Sequence, residues 1–104
     1  TIIEIKSVIS TADRALFPTV YSERTIKQLQ RLQEILIAGK KVCFYVVSLH
    51  PYLKEVAIDQ NTEFYTELQR CINFGMRLHA YTVRLKGNTL SVEHEIPISF
   101  IADC

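Results

Sequence analysis

Long apolar runs are missing from this 104-residue chain. A membrane-spanning helix needs about 20 consecutive apolar residues, and no stretch comes near that length. A signal-peptide pattern is also missing. Charge of one sign is scarce: twelve Lys+Arg stand against eleven Asp+Glu, for a formal net charge of +1. Without a bulk basic excess, nucleic-acid binding needs a local patch or a part of the protein outside this chain. Cysteine is sparse and poorly spaced. Cys43, Cys71 and Cys104 are odd in number and far apart, with no CxxC pair and no Cys/His zinc spacing. This argues against a disulfide framework and for a reducing cytoplasm. The chain has no GxGxxG, no Walker loop and no Gly-x-Ser-x-Gly. Internal repeats, low-complexity tracts and linkers are absent too. The histidines His50, His79 and His94 fall in different elements. His79 and His94 can meet across a hairpin, but surface or boundary positions are the simpler reading.

What remains is one small domain with 48% apolar residues, enough for a single core. The chain opens within a strand and without a leader, as a fragment of a longer protein would. That first stretch, Ile2-Ile3-Glu4-Ile5-Lys6-Ser7-Val8, alternates as a strand does. Ile3 and Ile5 lie on one side, Glu4 and Lys6 on the other. A carboxylate two residues from an ammonium on one strand face can do defined chemistry. The carboxylate can ligate a hard cation such as Mg2+, and the lysine can orient water or steady charge on a phosphate. Glu-x-Lys is also common by chance, usually as a solvated pair.

Residues 10–19 read as a connection, with a turn at Ser10-Thr11-Ala12-Asp13 and a stop at Phe17-Pro18. Ser22 is a fair N-cap, with Glu23 in the first turn. Ile26, Leu29, Leu32 and Leu36 recur at helical spacing, predicting an amphipathic helix of about 17 residues that Gly39 ends. Arg24, Lys27 and Arg31 share the opposite side, either as a solvated face or as a phosphate-binding stripe. Residues 41–49 read as a strand buried on both faces. Strand, helix and strand then form a parallel, right-handed βαβ crossover. A loop runs from His50-Pro51 to Gln60. A second helix follows from Asn61 or Thr62 to Phe74, burying Phe64, Leu68, Cys71 and Ile72 before Gly75. Cys71 on that stripe reads as packing. A hairpin closes the chain: Leu78–Leu85, a turn at Lys86-Gly87-Asn88, and Leu90–Phe100, with Pro97 suggesting an edge. On that last strand Leu90, Val92, Ile96 and Ile98 share a face, and Glu93, Glu95 and Ser99 the other. The predicted class is α/β, a mixed sheet in β-α-β-α-β-β order with a C-terminal antiparallel hairpin.

These residues resemble the sugar fermentation stimulation protein family, whose C-terminal domain is similar to a PD-(D/E)xK, restriction-endonuclease-like fold. Glu4-Ile5-Lys6-Ser7-Val8 matches the family's strand motif. The stretch from Phe17-Pro18 to Gln28-Leu29 matches its Phe-Pro-Asp-Ala-x-Thr-x-Arg-Gly-x-x-His-Leu segment. Asp59, Phe64 or Tyr65, Leu68, Gly75-Met76 and Ala80-Tyr81 echo its later pattern, so the resemblance spans essentially the whole chain. Three positions depart from it. Thr19 stands for an aspartate, Thr25 for a glycine and Gln28 for a histidine, each losing a group that binds metal, turns tightly or shuttles a proton.

The resemblance implies that residues 1–104 are a partial nuclease-like core, without the N-terminal OB-like domain and the first catalytic strands. It makes Glu4 the metal-binding and catalytic carboxylate and Lys6 its catalytic partner. Arg24, Lys27, Gln28 and Arg31 become the nucleic-acid contacts. Mg2+ belongs only to the complete site, since one carboxylate binds it weakly and the family's other carboxylate lies upstream. No cofactor is expected for the fragment, and the fragment alone should be inactive. The implied function is a cytoplasmic DNA-binding or regulatory protein with DNA as partner and no membrane. The alternatives are an active Mg-dependent DNA nuclease at full length, or a non-catalytic module that forms a homodimer through edge strands and the Ile96–Ile101 tail.

Overall fold

A computed structural model describes residues 1–9, 12–18 and 22–102. The Ser10-Thr11 start of the expected turn, the departure at Thr19 and Cys104 lie outside the described residues. Among the described residues the order is β1 (Ile2–Ser7), β2 (Arg14–Leu16), α1 (Glu23–Ile37), β3 (Val42–Ser48), β4 (Glu55–Asp59), α2 (Glu63–Asn73), β5 (Arg77–Lys86), β6 (Thr89–Ile96) and β7 (Ile98–Ile101). Strands β1, β3, β5 and β6 form a mixed sheet in that spatial order. The first three run parallel and β6 returns antiparallel to β5. The α/β class and the parallel β1-α1-β3 crossover are therefore as the periodicity predicts.

Both helices form for local reasons. The Ser22 side chain accepts from the Thr25 amide, and Glu23 sits where the helix dipole favours an anion. Thr62 accepts from the Tyr65 amide in the same way. Gly39 (φ 91°) and Gly75 (φ 105°) end the two helices in a left-handed conformation that side chains disfavour. The apolar stripes bury Ile26, Leu29, Leu32 and Leu36 of α1, and Phe64, Leu68 and Cys71 of α2.

Three short strands differ from the sequence reading. β2 lies in what reads as connection, and β4 in what reads as loop. Together with β7 they make a second, all-parallel sheet in the order β2-β4-β7. Three residues are too few to show a period, and Val56, Ala57 and Ile58 of β4 are all buried, so no alternation marks it. The stretch Leu90–Phe100 is likewise two strands. Pro97 has no amide to donate, and its carbonyl accepts from the Val56 amide of the second sheet, so the chain changes sheet there. Glu55 stitches the small sheet, meeting Arg14 of β2 at 3.0 Å and the Ser99 hydroxyl of β7 at 2.9 Å. The Ile96–Ile101 tail is used inside the chain: Ile96 is buried, and Ile98 and Phe100 pack on the core.

Two corrections concern faces. β3 is not buried on both: Val42, Phe44, Val46 and Ser48 are buried, while Cys43, Tyr45 and Val47 are half-buried. On β6 a bulge opposite Thr82/Val83 shifts the register, so Leu90 and Val92 share a face with Val83 and Leu85, whereas Ile96 faces the core with Ala80. His94 pairs with Thr82, and His79 meets Glu95 instead of His94.

The helices are bolted together. Gln33 of α1 donates to the buried Glu67 carboxylate of α2 at 2.7 Å, and Arg70 holds its other oxygen at 3.0 Å. The Cys71 thiol, fully buried, donates to the Leu29 carbonyl at 3.3 Å. Burial, foremost, pushes this thiol up to about 11, and the negative charge of Glu67 adds to the effect. Below the ordinary thiol range of about 8.5 both folded and unfolded states keep the proton. Between there and about 11 the unfolded thiol ionises and the folded one does not. Stability therefore falls as pH rises through this window, by up to about 1.4 kcal/mol per pH unit. Urea midpoints measured from pH 7 to 11 should decline above pH 9, and less steeply in Cys71→Ala.

Candidate functional site

The inner, helix-facing side of the main sheet is apolar except at β1. Register places Glu4 abreast of Phe44 and Leu78, and Lys6 abreast of Val46 and Ala80. Hydrophobicity alone would turn Ile3 and Ile5 inward. Instead they are 55% and 59% exposed, and the Glu4 and Lys6 side chains are 23% and 33% exposed beneath α1. Partial burial of charge costs desolvation unless partners compensate. Here they do. Lys6 Nζ lies 3.3 Å from Glu4 Oε1, and Gln28 Nε2 donates to that same oxygen at 2.7 Å. The pair is a fixed constellation between strand and helix, unlike two freely solvated charges.

α1 supplies the rest. Arg24, Lys27, Gln28 and Arg31 follow one another at three-, four- and seven-residue offsets, which keeps them on neighbouring positions of one face. That face looks over β1. The result is a concave site of about 700 Å³ lined by Glu4, Lys6, Arg24, Lys27, Gln28 and Arg31, with Leu32 and Ile35 in its wall. All six candidate residues named from the sequence thus come together. Arg24, Lys27 and Arg31 are exposed, and none is ion-paired among the described residues. Four cations face one carboxylate, so the site attracts anions. Thr25 turns to the helix start, its hydroxyl 2.8 Å from Ser22 Oγ. The signal for the Glu4–Gln28 contact was present but indirect: a crossover helix packs over the strands it connects, and Gln28 is the polar residue between Arg24 and Arg31.

The described residues alone do not fit a Mg2+ site. Mg2+ favours six oxygen ligands in octahedral array, commonly including carboxylates. Glu4 is one carboxylate with an ammonium already beside it, and no group of three or more His, Cys, Asp or Glu gathers among the described residues. No helix among them is long and apolar enough to cross a membrane.

The sugar fermentation stimulation protein homolog of Idiomarina loihiensis is 25% identical over 100 residues, covering 93% of this chain and 43% of that protein. A solved structure, "The structure of Pyrococcus Furiosus SfsA in complex with Ca2+", matches with a TM-score of 0.75 at 16% identity, over 93% of this chain and 44% of that one. That likeness shows the fold. The chain thus spans less than half the length of these relatives. The model of the sugar fermentation stimulation protein RE domain matches residues 1–89, beginning with the strand that carries Glu4 and Lys6. On that match this chain belongs to the sugar fermentation stimulation protein family.

Proposed function

We propose that this chain is a DNA-backbone-binding domain, regulatory in role, built on a nuclease-like scaffold and working in a reducing cytoplasm. The observation that carries the reading is the set of unpaired cations on α1 over the Glu4–Lys6 pair. Arg24 to Arg31 covers about 10 Å of helix axis, and a DNA strand presents a phosphate about every 3.4 Å of its axis. Two or three adjacent phosphates match that length. Cys43 and Cys71 are free thiols, which supports the reducing compartment.

A second reading is favoured by Glu4 itself. In a longer family member, a further carboxylate brought beside Glu4 would make a divalent-cation site, and the archaeal relative was solved with Ca2+. Lys6 would then face the attacked phosphate and Gln28 would hold the Glu4 carboxylate.

One experiment addresses both. Labelled duplex DNA is titrated with the protein between about 50 and 200 mM salt. Backbone binding through three cations gives a log–log slope close to −3. Absence of binding at low salt, or a flat slope, removes the first reading. Plasmid nicking by a longer family member with Mg2+, lost on Glu4→Ala, would establish the second instead.

A further inference from the structure

The two helices cover one side of the main sheet, and no described residue covers the other. Its residues follow from register and alternation. β1 gives Ile3, Ile5 and Ser7, and β3 gives Cys43, Tyr45 and Val47. β5 gives Arg77, His79, Tyr81, Val83 and Leu85, and β6 gives Glu95, Val92 and Leu90. Ile3, Ile5, Leu85, Leu90 and Val92 are each more than half exposed. Parallel strands are usually covered on both faces, and β1, β3 and β5 are parallel. The molecule is accordingly a slab, 37 × 37 × 21 Å, one helix layer thick above its sheet.

The bare face is large. Four strands about 4.8 Å apart, and about seven residues long at 3.3 Å each, give on the order of 400–500 Å² before side-chain relief. Solitary apolar patches on monomers are rarely larger than a few hundred Å². A standard interface takes about 800 Å² of accessible surface per partner, within reach of such a corrugated face. Its centre is preorganised. Tyr45 and Tyr81 meet edge to face at 5.5 Å, and Tyr45 lies 6.1 Å from His79. Tyrosine gives rigid contact area and is enriched in interface cores.

We propose that this face is the interface of a homodimer, two copies stacked sheet to sheet. The charge pattern favours a second copy. Arg77, His79 and Glu95 all lie on the β5–β6 half, and the β1–β3 half of this face holds no charged residue. A two-fold axis along the strands, between β3 and β5, lays each half over the other copy's opposite half. Tyr45 then falls over the second copy's His79, Val47 over its Tyr81, and Ser7 over its Glu95. No charge meets its like, and Glu95 is already paired to His79 at 2.7 Å. A chain charge of +1 opposes association little. The contact is isologous and therefore closes at two.

Sedimentation equilibrium from about 1 to 300 µM tests this independently of DNA binding. A reversible dimer is expected, weakened at least 100-fold by Ile5→Lys and by Tyr45→Glu. Ile5 is exposed and Tyr45 only half-buried in the single chain, so both variants should keep the native circular dichroism and urea midpoint. A chain monomeric throughout that range overturns the proposal, whatever else covers the face. So does a dimer that both folded variants leave unchanged.

Discussion

Phe64→Ala is expected to lower stability by about 3–5 kcal/mol, the usual cost of removing a buried aromatic ring and leaving part of its volume empty. The ring is fully buried. It meets Phe17 edge to face, with centroids 5.5 Å apart and planes at 84°, and Phe17 in turn meets Phe44 at 6.4 Å. These three rings come from different parts of the fold. Phe17 follows β2 and donates its amide to Ala57 of the small sheet, Phe44 is on β3 of the main sheet, and Phe64 opens α2. Losing Phe64 therefore loosens the joint between both sheets and a helix, and neighbours tied to three elements collapse poorly into the hole. Domains of this size are stable by roughly 5–15 kcal/mol. The variant should melt some 15–30 °C lower. A loss under about 1 kcal/mol by urea unfolding would mean that the joint is not where this core is held.

The larger elements were legible because each had two agreeing signals. α1 has a stripe at helical spacing and both of its ends marked, by Ser22 and Gly39; α2 has Thr62 and Gly75. β1 and β3 had alternation or a dense β-branched run. The small sheet was illegible because its strands are short, and because partners far apart in sequence define them. Nothing local to Arg14–Leu16 or Glu55–Asp59 distinguishes strand from loop. Pro97 was a visible mark, but a proline says only that a ladder bond is missing, not that the chain leaves for another sheet. The site was half legible. The two-residue spacing put Glu4 and Lys6 on one side, which holds. Which side faces the helices was not readable, since Ile3 and Ile5 are the more apolar set and yet point outward. That reversal makes sense if the outer face is itself covered in an assembly, so that both sides of β1 are inner sides of different kinds. A strand that spends its helix-covered side on an acid and a base breaks the local rule, and such breaks gather where function is kept.

The strongest expected effect on binding follows from that same side. Replacing Arg24, Lys27 and Arg31 together by alanine should weaken binding to duplex DNA by about 10²–10³-fold near 0.1 M salt. Each phosphate contact releases close to one condensed counterion, so each contributes nearly one factor of ten at that concentration. The slope of log affinity on log salt should fall by about one per residue removed, which separates lost phosphate contacts from a general loss of fold. The fold has little reason to suffer. All three side chains are exposed, alanine is a strong helix former, and the buried stripe of Ile26, Leu29, Leu32 and Leu36 is untouched. Gln28 and Glu4 should behave differently. Neither is cationic, and Gln28 is already committed to Glu4 at 2.7 Å. Gln28→Ala should therefore leave the salt slope unchanged. An unaltered slope in the triple variant would place the DNA contacts elsewhere on the protein. A reduced slope with Gln28→Ala silent would leave the α1 cations as the phosphate-binding face, with the Glu4–Lys6 pair as its floor.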